Sequence, residues 1–241
     1  MAEEDEVSEG GSQIHRHEKR DREWTAPDPD TSVAEDVERH FESCGLSVAN
    51  VLHELVSDYV HIDVHVCEPT DARPFYTLFT TGMGDLPMAA PESYEHLARA
   101  ELMLCLPSSW PLGGDSFNNE EFYWPIGLMK FLARFPHEYE TWLGEDHTIP
   151  NGDPPDPFDD STGLCGTILA RPATLAPEQH ALTSRHGPVQ IYAVVPLYED
   201  EMNLKLKKGA DALLKALRKK GVNEVIDPKR GSVARRLFRR G

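Results

Sequence analysis

Three polar side chains alternate with apolar ones in YVHIDVHV, residues 59–66, and their types could do chemistry. In a strand, His61, Asp63 and His65 would share one face, with successive positions about 6–7 Å apart. Two imidazoles and a carboxylate are good ligands for zinc or iron. A metal ion needs donor atoms that converge to about 2 Å, whereas side chains of one strand stand roughly parallel. We therefore interpret the three as an exposed or groove-lining polar strand face, available to a protein partner.

A second group of polar residues surrounds Trp142. His137 and Glu138 precede it, and His147 and Asn151 follow it in a segment rich in proline and aspartate. These side chains could assemble a site where a helix leads into a loop. The alternative is a helix end whose polar side chains satisfy the loop backbone, a role that suits His147 and Asn151. A histidine of this group close to the strand histidines would restore the case for a metal site.

The block Gly114-Asp115-Ser116-Phe117 is similar to the nucleophile motif of one group of esterases. Those enzymes combine it with a downstream Asp-x-x-His, but the match here, Asp58–His61, lies upstream. The chain contains no G-x-S-x-G elbow, no Walker motif and no G-x-G-x-x-G. The sequence therefore favours a protein that is not an enzyme and uses no cofactor. The alternative is a metal-dependent or hydrolytic enzyme using one of the His/Asp groups.

The charge of the chain is large and unevenly distributed. The net charge is −17; residues 32–203 hold 28 acids and 7 bases, whereas residues 204–241 hold 3 acids and 13 bases. An acidic body repels nucleic acid and attracts a basic protein, which speeds their encounter at low salt. The same charge could serve solubility alone. A nucleic-acid partner is disfavoured, because basic residues concentrate only at the C-terminal end.

Three features concern the cellular setting. No apolar run reaches 18 residues, so the sequence predicts no membrane span. The N-terminal MAEEDEVSEGG lacks the apolar segment of a secretory signal. The four cysteines are widely spaced and form no C-x-x-C pair, which favours free thiols in a reducing compartment. We expect a cytoplasmic protein.

Hydrophobic periodicity predicts the elements that must position these side chains. A helix begins at Thr31 or Ser32 and stops at Gly45, and a long loop covers Gly144–Gly163. The other predicted elements are strands at Tyr59–Cys67, Phe75–Thr81, Arg99–Leu106, Cys165–Ala170 and Val189–Pro196, and helices at Trp124–Phe135, opened by Pro125, and Glu199–Lys220. Because strands and helices mix without a βαβ rhythm, we expect an α+β fold, a mixed or antiparallel sheet covered by helices.

The chain divides into three parts by composition. Residues 1–30 are acidic and poor in apolar residues, which predicts a disordered tail. Residues 31–228 carry all the predicted elements and form a single domain. Residues 229–241 are basic and predict a flexible tail.

Several segments together resemble one known family. They are FYTLFTTGMGDLPM (75–88), AELMLCLP (100–107), WPIGLMKFLARFPHEYETWLGEDHTIPNG (124–152), LCG (164–166) and YAVVPLYEDEMNLKLKKGADALLKAL (192–217). These collinear blocks resemble the suppressor-of-fused-like domain, especially its bacterial members, over about residues 45–231. The resemblance implies an α+β fold with no established catalytic centre. It also implies a protein-binding role, since the animal domain clamps a short extended peptide of a transcription factor.

The block Gly82-Met83-Gly84-Asp85-Leu86 matches a turn near the peptide cleft of the animal domain. The resemblance therefore implies that Asp85 contacts a partner and that Gly82 forms the turn that positions it; Asp85 could instead only cap the turn. With His61, Asp63, His65, His147 and Asn151 these are the predicted partner-binding residues. Bacterial members look like immunity proteins that neutralise a toxin, so the expected partner is a basic toxin domain or peptide strand. The remaining alternative is an adaptor domain in transcriptional or signalling regulation, whose tails do the work.

Overall fold

The computed structural model describes residues 6–18, 32–54, 59–113, 116 and 119–234. Its centre is an eight-stranded sheet that contains both parallel and antiparallel pairs and carries helices on both faces. This arrangement confirms the predicted α+β fold.

Five of the ten strands in the described chain match predicted strands, with differences at their ends, and the other five were not predicted. They are β1 (Glu6–Val7), β2 (Gln13–Ile14), β3 (Val48–Leu52), β4 (Asp63–Cys67), β5 (Phe75–Thr81), β6 (Ala100–Pro107), β7 (Thr148–Pro150), β8 (Gly166–Ala170), β9 (Ala181–Ser184) and β10 (Gly187–Leu197). Strand β5 has the predicted bounds, whereas β4 begins four residues later than predicted. The short strands β3, β7 and β9 lack a strong apolar alternation, and the sequence did not predict them.

The order of the main sheet is β3-β4-β5-β6-β10-β8-β7, and β9 pairs with β10. All neighbouring strands are antiparallel except β6 and β10, which are parallel. The first seven residues of β6 are buried, as its apolar sequence predicts for a central strand.

Within the described residues, four α-helices cover this sheet: α1 (Ser32–Ser43), α2 (Glu120–Glu138), α3 (Glu199–Lys208) and α4 (Ala210–Lys219). Helix α2 packs on one face through Ile126, Met129 and Leu132. On the opposite face, α1 covers the β4–β6 half, and α3 and α4 cover the half near β8 and β10. Because successive strand residues point to opposite faces, each polar side chain of β4 faces α1 rather than water alone.

Two predicted helices have different bounds. Helix α2 begins at Glu120, because the Asn119 side chain accepts a hydrogen bond from the Glu121 N–H (3.1 Å) and caps it. Pro125 therefore lies inside the helix and does not open it. The single helix predicted over Glu199–Lys220 is wrong: Gly209, with a φ of 81°, separates α3 from α4.

The N-terminal segment predicted to be disordered contains a short antiparallel pair, β1 and β2. The turn of this pair contacts α3, where the Gly10 N–H donates to the carbonyl of Leu206 (2.7 Å). The prediction of disorder is therefore wrong for residues 6–18. A carbonyl in the last turn of α3 lacks a partner within the helix, and it accepts a hydrogen bond from the backbone of this segment. Residues 1–5 and 19–31 lie outside the described residues.

Residues 229–234, predicted as part of a flexible tail, pack against the domain. Val233 and Ala234 are buried in the core formed with α3 and α4. Arg230 forms an ion pair with Glu201, whose side chain is fully buried. The prediction of a flexible tail is wrong for these residues. Composition shows that the segment is basic, but it cannot show that a buried carboxylate, that of Glu201, pairs with Arg230. Residues 235–241 lie outside the described residues.

All four cysteines are free thiols, as the sequence predicted; three are buried and Cys44 is half-buried. In the part of the chain described, no helix combines the length and apolar character needed to cross a membrane.

Candidate functional site

The three polar residues of YVHIDVHV do not act as one group. His61 and Asp63 lie at the open end of β4, and the His61 Nε2 is 3.1 Å from a carboxylate oxygen of Asp63. His53 is the third member of this cluster, and its Nδ1 lies 3.0 Å from the other carboxylate oxygen of Asp63. Sequence reasoning missed His53 because it follows β3, a strand that the pattern did not reveal.

His65 is buried, so the interpretation as an exposed polar face is wrong for this residue. Its ring stacks on Phe79 at 4.7 Å between centroids, and its Nε2 hydrogen bonds with the Thr81 hydroxyl (3.0 Å). Burial lowers the pKa of His65 to about 4, and the carboxylate of Asp63 opposes this shift. The imidazole is therefore neutral at pH 7, and its contribution is to the core beneath α1.

The turn after β5 is built by Gly82 and anchored from β6. Gly82 has a φ of 102°, and the backbone then forms a single 3₁₀ turn over Met83–Asp85. Arg99 donates to the carbonyls of Gly84 and Asp85, and the N–H of Gly84 donates to a Glu101 carboxyl oxygen (2.9 Å). Asp85 is half-buried on this turn, and its role as a partner contact stays a prediction.

Glu101 is a fully buried carboxyl beneath this turn. The Thr80 hydroxyl donates to it (2.6 Å), as does the Gly84 N–H. Burial raises the pKa of Glu101 to about 8, against the effect of these hydrogen bonds, and the charge of Asp85 adds to the rise.

We expect the wild-type chain to lose stability relative to Glu101→Gln as pH rises from 4.5 to about 8. The folded protein retains a proton that the unfolded chain releases in this window, so raising the pH favours unfolding. The difference in unfolding free energy should change by at least about 1.4 kcal/mol, the equivalent of one pKa unit. Urea unfolding at about pH 5.5 and about pH 8.5 measures it.

The exposed Glu68→Gln variant is the control for removing one surface acid. A constant difference between wild type and Glu101→Gln over this pH range would contradict the prediction.

The polar residues around Trp142, which could have assembled one site, do not form a single group in the structure. His137 donates from Nε2 to the carbonyl of Met83 (3.0 Å), which ties α2 to the turn after β5. His147 packs its ring edge-on against Trp142, and burial, followed by the nearby Lys205, lowers its pKa to about 4. Asn151 donates to the carbonyl of Asp156 (2.7 Å). Of these contacts, that of Asn151 fits the alternative in which a polar side chain satisfies the loop backbone, and neither His137 nor His147 joins the His53–His61–Asp63 cluster.

Of the block similar to an esterase nucleophile motif, only Ser116 is among the described residues, and it is half-buried. Asp58, which begins the upstream Asp-x-x-His, also lies outside them. The serine-hydrolase pattern therefore gains no support from the geometry.

An aromatic groove runs between α2 and the loop after β7. It has a volume of 290 Å³. We call it the α2 groove; its lining residues are Glu120, Tyr123, Trp124, Gly127, Leu128, Phe131, Asn151 and Phe158. The Trp124 and Phe158 rings stack at 5.2 Å between centroids, which fixes the floor of the groove. The sequence predicted the helix but not the groove, because the groove depends on the loop after β7 packing beside α2.

The rim of the α2 groove is acidic. Exposed acids stand at its end and along its loop: Glu120, Glu121, Asp153, Asp156 and Asp160. The basic residues of α2 are Lys130, which donates to the carbonyl of His53 (3.2 Å), and Arg134, which pairs with Glu54. Both bases therefore have partners elsewhere. Among the described residues, no lysine or arginine lines the groove, which offers apolar surface with exposed acids beside it.

The model of one protein family, described as suppressor of fused protein, matches residues 58–231, more than two thirds of the chain. The chain belongs to the suppressor of fused family. This finding confirms the resemblance seen in the sequence blocks. No curated protein sequence matches the chain.

Solved structures of the suppressor of fused family share the fold. A homolog from Neisseria gonorrhoeae superposes with a TM-score of 0.60 at 12% identity, covering 85% of this chain and 96% of the homolog. The Sufu protein of a Sufu–Fu complex gives a TM-score of 0.57 at 15% identity, covering 87% of this chain and 93% of that one. Drosophila Suppressor of Fused gives 0.56 at 15% identity over 87% of this chain, which spans about half of it (52%). Identities this low show the fold alone.

Proposed function

We propose that this suppressor of fused domain is a non-catalytic protein-binding domain that holds a basic, partly apolar segment of its partner in the α2 groove. One observation carries the proposal: an aromatic groove with exposed acids beside it and, in the described part of the chain, no lysine or arginine in its lining. Buried aromatic anchors supply affinity, and complementary charge supplies orientation and speed of encounter. The relative solved as a Sufu–Fu complex, which shares the fold, supports a protein as partner.

Phe131 is the residue of this chain that we expect to anchor the partner in the α2 groove. Its side chain is 36% exposed although it lies between the buried Lys130 and Leu132, and its ring contacts Phe135 edge-on at 5.7 Å. An exposed aromatic ring that packs on a second ring of its own chain is well placed to contact an aliphatic side chain of a partner. Asn151 lines the same groove, so of the predicted partner-binding residues it is the one that this proposal retains there.

In its narrower form, the proposal makes the partner a basic toxin domain that this protein neutralises. The support is the net charge of −17 and the acidic rim, which would cover a basic catalytic surface. Co-purification of the chain with the product of a neighbouring gene, lost at high salt, is the expected result. Absence of any complex between the two at low salt would remove the narrower form and leave the broader one standing.

We predict that a labelled peptide rich in arginine and leucine binds the chain, and that Phe131→Ala weakens this binding at least about tenfold. Truncation removes the apolar anchor while leaving the acidic rim in place. Raising the salt concentration from about 50 to about 300 mM should weaken binding to wild type severalfold, because the rim charges are exposed. Fluorescence anisotropy measures both effects.

Leu206→Ala is the matched control, since Leu206 is 37% exposed and lies on α3, away from the groove. A second control is the peptide with glutamate in place of arginine, which should not bind. Equal binding of both peptides, or equal affinity of wild type and Phe131→Ala, would contradict the proposal.

A further inference from the structure

The His53–His61–Asp63 cluster arises from the pairing of two strands. Leu52 of β3 is opposite Val64 of β4, so the next residues, His53 and Asp63, face each other across the antiparallel pair. Directly opposed residues hold their Cβ atoms about 4.5–5.5 Å apart. His61 lies two residues before the start of β4, and its Nε2 is 3.1 Å from an Asp63 oxygen. Two strands thus supply ligands that one strand alone cannot bring together.

The donor atoms of the cluster converge. One Asp63 oxygen lies 3.0 Å from the His53 Nδ1 and the other lies 3.1 Å from the His61 Nε2. One donor atom from each of the three residues lies within 4.8 Å of the others. Atoms held about 2.0–2.2 Å from a zinc ion at tetrahedral angles are about 3.3 Å apart. The two carboxylate-to-imidazole separations are close to this value.

The two imidazoles of the cluster are open to water, and charged groups of both signs lie near it. The side chains of His53 and His61 are 64% and 49% exposed, whereas that of Asp63 is 19% exposed. Glu38 of α1 is close enough to interact electrostatically with Asp63, and so is Lys130 of α2. Glu54 pairs with Arg134, and His65 is neutral beneath α1. An approaching cation therefore meets the carboxylates of Asp63 and Glu38, and the ammonium of Lys130, which donates to the His53 carbonyl, opposes their attraction in part.

We propose that His53 Nδ1, His61 Nε2 and Asp63 form a zinc-binding site that fastens the edge strand β3 to β4. Two imidazoles and a carboxylate suit Zn²⁺, and three protein ligands leave one coordination position for water or for a group of a partner. The site is not the set His61, Asp63 and His65 that was considered as a metal site from the strand spacing. His65 is buried and hydrogen bonded to Thr81, and His53 takes its place. It is independent of the α2 groove.

The test is titration of the chain, freed of any histidine tag, with Zn²⁺ in a buffer without chelators. Calorimetry should show one ion per chain. His53→Ala, His61→Ala and Asp63→Asn should each weaken this binding at least about tenfold, because each removes one of three ligands. His96→Ala is the matched control, since His96 is exposed on a separate 3₁₀ turn and should bind as wild type does.

Two further measurements keep the result interpretable. Circular dichroism without metal shows whether each variant is folded, which the exposure of the two histidines leads us to expect. Co²⁺ should give visible absorption bands in wild type that vanish in His53→Ala, and Zn²⁺ should slow hydrogen exchange of the β3 amides. Binding that His53→Ala and His61→Ala leave unchanged, or less than about 0.2 ion per chain at saturating zinc, would overturn the proposal.

Discussion

Gly82→Ala is expected to destabilise the protein by about 3–5 kcal/mol or to prevent it from accumulating in folded form. Two causes add. The φ of 102° is one that a side chain disfavours, and an added Cβ would lie 1.9 Å from the carbonyl oxygen of His61. That oxygen belongs to backbone entering β4, so it cannot move aside as a flexible side chain would. Urea unfolding, or the soluble yield if the variant does not fold, measures the effect.

Gly45→Ala is the matched control. Gly45 has a φ of 77°, but nothing lies within 4 Å of a Cβ added there. This variant carries only the backbone strain, so its loss should be about 1 kcal/mol. Similar losses in the two variants would show that the close approach of Gly82 to His61 contributes nothing.

Arg230→Ala is expected to lower the free energy of unfolding by about 3–5 kcal/mol, because it leaves the carboxylate of Glu201 buried without its counter-charge. The guanidinium binds both Glu201 oxygens at 2.6 Å, and it also donates to the carbonyl of Pro196 (2.8 Å). Glu201 further accepts from the N–H groups of Tyr198 and Val233. Thermal and urea unfolding measure the loss.

Lys229→Ala serves as the control, since Lys229 is the exposed base next in sequence. It should change stability by less than about 0.5 kcal/mol. Replacing the pair together, as Glu201→Gln with Arg230→Met, should recover much of the loss, because no unpaired charge then remains buried. Equal stability of Arg230→Ala and wild type would mean that residues 229–234 are not fastened to the domain as the structure shows.

The Arg230 contacts also bear on the adaptor alternative, in which the basic C-terminal end recruits an acidic partner. Arg230 is engaged within the domain and is not available for such a partner. An adaptor role through residues 229–241 would therefore depend on the other bases. Deleting these residues also removes the charge partner of Glu201, so Arg230 must be retained in any test of that role.

The strands with strong patterns were readable from sequence. FYTLFTT and AELMLCLP became β5 and β6 with bounds correct to within one residue, because burial of a central strand selects apolar and β-branched residues throughout. The end of α1 at Gly45 was also predicted from a local signal, the glycine itself. The collinear blocks also predicted the family, which the match over residues 58–231 confirms.

The sequence by itself determined the α+β class, the central strands and the acidic character of the body, because these depend on local periodicity and composition. It determined the family through the collinear blocks that resemble it. The tertiary structure alone decided which polar residues meet. Pairing of β3 with β4 brings His53 to Asp63, the packing of α1 buries His65, and a buried Glu201 holds Arg230 in place. Each is a contact between residues distant in the chain or a choice of which face is covered, and a one-dimensional pattern carries no information on either.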